Sequence, residues 1–335
     1  MTVPPNTLTV RPLTGPEELE LFSGFSYALD HEFPVDMAEG RRLPQWMWVA
    51  MQGDRLVARL SWWRRDQDDR PLLLDVLDVV DAADVDRVAV AEHLVRTAAA
   101  TVLDEGSPWP EYLRFLPAGW REDPDQRAMV RDLMTALENT GAHLLTERLR
   151  FTWRDGSLEP RPRGRLRFRE IEDTADILDL MTRALEGTLD THDNVDLREK
   201  SAREVAEANF ADEFAAYSTP RAWWRVATSA EGEPVGFVIP ARNAYHPIIA
   251  YIAVLPEHRG HGYIDDLLAE GGRVLREAGV DHINSATDLG NQPMARAFQR
   301  AGYDVESGVI TMVWDHAYGP EAGGAQAGGA QARPD

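Results

Sequence analysis

The sequence predicts an α/β chain with mixed sheets, built as two tandem copies of one unit. Three observations predict it. At 335 residues the chain exceeds the usual size of a single hydrophobic core, so two domains are expected. Two segments about half the chain apart share one order of elements, which is an internal repeat. In the second of them an apolar strand runs through a glycine-broken turn straight into an amphipathic helix, from Ile252 to Leu275.

The elements follow in order. Leu8–Leu13 and Leu166–Ile171 alternate apolar and polar side chains, the pattern of a half-buried strand, and each precedes a helical segment. A hairpin comes next in each half. In the first it is Trp48–Ala50, a turn at Gly53-Asp54, and Leu56–Trp62; in the second it is Arg225–Ala227, a turn at Glu231-Gly232-Glu233, and Val235–Ile239. Near each end a helix closes on glycine, at Gly141 and at Gly302, and the spacing from that glycine to the tryptophan of a last strand, Trp153 or Trp314, is the same in both. The expected organisation is a degenerate N-terminal domain over 1–155, a polar Pro-containing linker over 156–165, a C-terminal domain over 166–316 and a disordered Gly/Ala/Gln tail over 317–335.

Composition excludes several classes of function. A net charge of −21 argues against nucleic-acid binding, which requires Lys and Arg to neutralise phosphates, and tilts towards a cationic small partner. No run of apolar residues is long enough to span a bilayer, and the start of the chain has no basic segment followed by an apolar one, so a cytoplasmic protein without membrane partner is expected. The absence of cysteine excludes disulfides and a cysteine-linked acyl-enzyme.

The glycine turn carries chemistry. The first four N–H groups of a helix lack intrahelical partners, and the macrodipole adds about half a positive charge there, so anions settle at that end. Gly260 and Gly262 let the backbone amides converge, and Arg259, His258 and His261 add positive charge around them. Ile264, Leu267, Leu268, Val274 and Leu275 form one apolar stripe, leaving the first turn free to face a ligand. In the first half the corresponding position is Asp81-Ala82-Ala83-Asp84-Val85-Asp86, whose aspartates repel a phosphate. That half reads as scaffold, lid or dimerisation surface.

Two blocks are similar to signatures of a known family. Ile252–Gly262 is similar to the acetyl-CoA motif R-x-x-G-x-[G/A] with its preceding strand, and Asn291–Tyr303 is similar to N-x-x-A-x-x-x-Y-x-x-x-G-[FY]. On these blocks the C-terminal half resembles the GCN5-related N-acetyltransferase (GNAT) family, and the whole chain resembles a tandem pair of such domains, each a twisted, mostly antiparallel sheet flanked by helices. The resemblance implies acetyl-CoA as co-substrate and no metal. It implies that Ile252, Ala253 and Val254 pair with the pantetheine arm, that the loop Arg259, Gly260, His261, Gly262, Tyr263 and Ile264 holds the pyrophosphate, that Asn291 contacts the pantetheine, and that the helix beginning there, which carries Phe298, completes the acyl slot. It implies direct attack of an amine on the thioester, with a strand amide near Val254 polarising the carbonyl.

The chain departs from the pattern twice: Ile264 stands where the family prefers glycine or alanine, and Phe298 where many members carry a tyrosine acid. The candidate catalytic groups in its place are Tyr251 and His246. The loop Glu186–Asp196 places Glu186, Asp190, His192 and Asp193 where the family binds the acceptor, which is expected to be a small cationic amine. The pair His192-Asp193 lacks the further spaced ligands of a metal site. A non-catalytic acyl-CoA sensor or regulatory tandem domain is the alternative function, and a homodimer is compatible with either.

Overall fold

The computed structural model describes residues 4, 7–65, 68–158, 162–243 and 245–315; the expected tail and residues 159–161 of the expected linker lie outside them. The contacts divide the chain into two compact units, one holding the residues through Thr146 together with the stretch from Val309, the other holding Glu147–Gly308. This grouping differs from a cut at the linker. Each half contributes its last strand to the core of the other unit: Phe151 and Trp153 are buried with Leu268 and Ile283, whereas Ile310, Met312 and Trp314 are buried with Leu94 and Leu137.

The first unit contains β1 (Thr9–Pro12), α1 (Leu19–Phe22), α2 (Phe33–Ala38), β2 (Met47–Gln52), β3 (Arg55–Trp63), β4 (Leu73–Val79), α3 (Arg87–Val102), β5 (Glu111–Pro117), α4 (Pro124–Glu138) and the start of β6 (Ala142–Arg154). Its sheet runs β1-β2-β3-β4-β5, antiparallel until β4 meets β5 in parallel. The described β4–β5 pairing is confined to Leu73↔Glu111 and Leu74↔Tyr112, so the two strands separate beyond it. A charged network fills the separation. Arg114 donates to the Leu77 carbonyl at 2.9 Å and to Asp78 at 2.9 Å, Arg59 holds Asp78 at 2.8 Å and Asp30 at 2.7 Å, and the Tyr27 hydroxyl accepts from the Phe115 N–H at 3.0 Å. The helix after β4, α3, is capped by Asp86, whose carboxylate accepts from the Ala89 N–H at 3.1 Å.

The second unit contains the rest of β6, then β7 (Arg167–Glu170), α5 (Thr174–Ala184), α6 (Thr191–Asp196), α7 (Ala202–Asp212), β8 (Arg225–Thr228), β9 (Pro234–Arg242), β10 (Pro247–Val254), α8 (Tyr263–Glu277), β11 (His282–Asp288), α9 (Gln292–Arg300) and the beginning of β12 (Asp304–Trp314). Its strand order is β6-β11-β10-β9-β8-β7, antiparallel except for β10 beside β11. The stretch 186–196, expected as loop, ends in a helix: the Asp190 carboxylate accepts from the Asp193 N–H at 3.2 Å and starts α6. One close approach fixes β9 on β10. A Cβ at Gly236 would lie 2.4 Å from the Ala253 carbonyl oxygen, so only glycine lets the strands meet there.

Candidate functional site

Strand β10 shapes the site. Its described pairing with β11 is the single parallel match Ile248↔Asn284, after which the strands diverge. A register shift between Ile249 and Tyr251, a bulge against β9, changes the direction of the strand at the same place. The Ser285 hydroxyl, at 3.2 Å from the Ile249 carbonyl, bridges the start of the divergence. Beyond it the backbone of β10 faces open space. Because successive peptide groups in a strand point to opposite edges, and the Leu255 N–H turns to β9 (2.9 Å to Val235 O), the Ile252 and Val254 amides turn to the gap.

That gap is part of a cavity of about 470 Å³. Of the residues expected in a cofactor site, Ile252, Ala253, Val254, Arg259, Gly260, Gly262, Tyr263, Ile264, Asn291 and Phe298 line it; His261 does not. Tyr251, Asp190 and Asp193 line it as well, whereas His246, Glu186 and His192 do not. His246 is buried at the start of β10, with its Nδ1 3.3 Å from His282 Nε2, and so does not face the cavity as a catalytic group.

The glycine loop adopts the expected conformation with a different distribution of charge. Gly260 and Gly262 take positive φ of 81° and 71°, and Gly262 is the N-cap of α8 without any side-chain hydrogen bond to the first-turn amides. Arg259, expected to add charge to the loop, turns away from it. Its guanidinium donates to the carbonyls of Ala184 (2.8 Å), Glu186 (2.6 Å), Gly187 (3.2 Å) and Val254 (3.1 Å), which ties the C-terminal end of α5 to the end of β10. The charge over the loop comes instead from the stretch read as linker. Arg165 donates to the His261 carbonyl at 2.7 Å, the Gly262 carbonyl at 2.9 Å and Asp266 at 2.8 Å, and lies 4.6 Å over the Tyr263 ring. Arg163 reaches Asp265 at 3.3 Å, and Arg300 reaches it at 2.7 Å. The two acids of the first turn of α8, which would repel an anion, are thereby each paired with arginine. Sequence reasoning missed Arg163 and Arg165; the only signal was their position, in a polar segment rich in arginine.

Asn291 caps α9 through its carboxamide oxygen, which accepts from the Met294 N–H at 3.3 Å. Phe298 is 1% exposed, stacks on Phe151 with centroids 5.0 Å apart, and lines the cavity without offering a hydroxyl. Ile264 packs partly against the same core and also lines the cavity.

The other end of the cavity is walled by α5, α6 and α7. Asp193 is buried, 4% exposed; its carboxylate accepts from Asn209 Nδ2 at 3.0 Å and lies 3.4 Å from the Thr188 hydroxyl. Burial, and then the charge of Asp190, push its pKa up to about 7. Asp190 lies 3.6 Å from Arg148, which also reaches Asp288 at 3.3 Å. Tyr251 stacks on Phe214 (5.6 Å, 18°), and burial together with the charges of Asp193 and Asp190 holds its phenol well above the ordinary value, so it stays protonated near neutral pH. Among the described residues no group of three or more His, Asp or Glu is placed to hold a metal ion, and no helix is long and apolar enough to cross a membrane.

Comparisons agree with this geometry. Residues 191–303 match the model of the acetyltransferase (GNAT) family. No curated protein matches the sequence. Among solved structures, a GCN5-related N-acetyltransferase from Sphaerobacter thermophilus is similar at 14% identity and a TM-score of 0.53, over 92% of this chain and 96% of that one. A fungal glucosamine N-acetyltransferase region within a multi-domain β-N-acetylglucosaminidase is similar at 12% identity and a TM-score of 0.51, over 91% of this chain and 38% of that one. A tandem GNAT protein from the clavulanic acid biosynthesis pathway is similar at 18% identity and a TM-score of 0.47, over 94% and 99%. For the first two, at these identities, the likeness is one of fold.

Proposed function

We propose that this protein is an N-acetyltransferase, a reading supported by the match of residues 191–303 to the acetyltransferase (GNAT) family model and by the likeness of fold to a GCN5-related N-acetyltransferase. It transfers the acetyl group of acetyl-CoA to the primary amine of a small cationic acceptor by direct attack. The observation that carries the reading is the cavity between β10 and β11, open along the strand edge at Ile252 and Val254 and ending at the Gly260–Gly262 loop. The donor set suits a pantetheine-bearing coenzyme: a strand edge for the amides of the arm and unpaired helix amides for the pyrophosphate. Acetyl-CoA supplies an activated thioester.

The chain's own groups then have distinct tasks. The Val254 or Ile252 amide donates to the thioester carbonyl as negative charge develops on it, a fixed donor of a kind worth ~3 kcal/mol. The Arg163–Asp265 and Arg165–Asp266 pairs remove the repulsion that two free carboxylates would exert on phosphates. Arg259 holds the acceptor wall against β10. With Phe298 in place of a tyrosine, no hydroxyl from α9 protonates the departing thiolate, whose pKa near 8.5, by analogy with cysteine, allows it to leave with modest help.

The missing hydroxyl favours a second reading, an acyl-CoA sensor without turnover. Calorimetric titration with acetyl-CoA and a thiol-release assay across an amine panel separate the two. Binding with thiol release supports the enzyme, binding without release in both the wild type and Phe298→Tyr supports the sensor, and absence of binding overturns both.

A further inference from the structure

The acceptor end of the cavity carries enough asymmetry to name a class of substrate, resting on the acetyltransferase reading. Two carboxylates of this wall, Asp190 and Asp193, face the cavity; Arg148 lies 3.6 Å from Asp190 and is shared with Asp288 at 3.3 Å, so the acids outnumber this cation, whose charge is a lesser influence on the Asp193 carboxylate than burial and Asp190. That carboxylate is buried and oriented. Asn209 and Thr188 hold the Asp193 oxygens from α7 and from the turn before α6. Next to it the wall turns apolar: Phe214 and Tyr251, stacked on each other, line the cavity together with Leu189, which is 53% exposed. A polyamine or polyhydroxylated amine has no use for such a face, since each further polar group would lose water there without a partner.

We propose that this end of the cavity is the subsite of a monoamine carried on an apolar body, and that Asp193 is the catalytic base that receives the ammonium proton. In the step, one N–H proton of the ammonium passes to the Asp193 carboxylate and the freed lone pair attacks the thioester carbonyl. The C–N bond forms, the C–S bond breaks, and the second nitrogen proton ends on the departing sulfur as the amide forms; Asp193 returns its proton to solvent.

A carboxyl pushed up to about 7 is suited to this exchange near neutral pH, because it is neither locked as an anion nor permanently protonated. The charged and titratable groups facing it are Asp190 and His192 on its own helix and turn, Arg148 from β6, Asp288 from β11 and Tyr251 from β10.

Calorimetry on the full chain tests the subsite without requiring turnover. Phenethylamine is the probe, with spermidine and 3-phenylpropanoate as comparisons, and acetyl-CoA is titrated separately. Phenethylamine is expected to bind more tightly than either comparison. Its affinity is expected to rise roughly tenfold from pH 6 to pH 8, as the ionised fraction of a group titrating near 7 rises from about a tenth to nine tenths. The rise should vanish in Asp193→Asn, persist in His192→Gln, and move to lower pH in Asp190→Asn, which keeps the α6 cap while removing the like charge. Spermidine binding tighter, the propanoate binding equally, or a pH dependence that survives Asp193→Asn would each overturn the proposal. Acetyl-CoA binding without any phenethylamine binding overturns this subsite and leaves the acetyltransferase reading standing; amine binding with no acetyl-CoA binding leaves the amine subsite but overturns the acetyltransferase reading and, with it, the role of Asp193 as base.

Discussion

Replacing Arg165 by methionine should loosen the phosphate loop and the second unit together. The side chain donates to Asp266, which is 1% exposed, and to two loop carbonyls. Stranding a buried charge by removing its partner costs about 3–5 kcal/mol. Here the loss is smaller, because Arg165 is itself 33% exposed and Asp266 keeps the Arg163 backbone N–H at 2.5 Å; about 2 kcal/mol is expected. For a unit of this size that is a fall in Tm of about 4–8 °C. The informative measurement is the double-mutant cycle with Asp266→Asn, which removes the stranded charge and should recover about 1–2 kcal/mol of coupling. Acetyl-CoA affinity should fall about tenfold in Arg165→Met and recover in the double variant, more so at low salt, where an uncompensated carboxylate under the loop repels phosphate most. A coupling below about 0.5 kcal/mol, with acetyl-CoA affinity unchanged, would show that the segment is an ordinary linker resting on α8.

Gly262→Glu should abolish acetyl-CoA binding in calorimetry, because the position has φ of 71° and the new side chain adds negative charge where the pyrophosphate is expected; an unchanged Kd would remove the loop from the site. Gly236→Ala should lower Tm, by about 1–3 kcal/mol in stability, and weaken acetyl-CoA binding, since the new Cβ lies 2.4 Å from the Ala253 oxygen and pushes β10 out of position. Arg114→Leu should destabilise the first unit by roughly 1–2 kcal/mol, because Asp78 keeps Arg59 at 2.8 Å while the Leu77 carbonyl and one Asp78 oxygen lose their donor, read by hydrogen exchange in β4 and β5, with acetyl-CoA affinity left as it was. A loss of affinity there would show that the first unit takes part in coenzyme binding.

Local chemistry was legible in the chain itself. The repeat of strand, hairpin and glycine-closed helix follows from side-chain period and turn residues, and the converging amides at Gly260 and Gly262 follow from backbone rules that need no neighbours. Asn291 was picked out by the resemblance of its block alone, and the structure adds that its oxygen caps α9. His246 and His261 were misleading because residue type alone says nothing about which way a ring faces. Tertiary structure decided the rest. It turned the Arg259 guanidinium onto four carbonyls beside the cavity, and brought Arg163 and Arg165 onto α8 from a segment that reads as linker. It also gave the two last strands to the opposite cores, because apolar faces pack wherever complementary surface is buried, and sequence order does not constrain which sheet supplies it. Asp193 shows the division most sharply. Its presence in an acidic stretch was visible from the sequence, but whether a carboxylate is a solvated charge or a proton acceptor near neutrality depends on burial and on the charges across from it, and only the folded chain sets those.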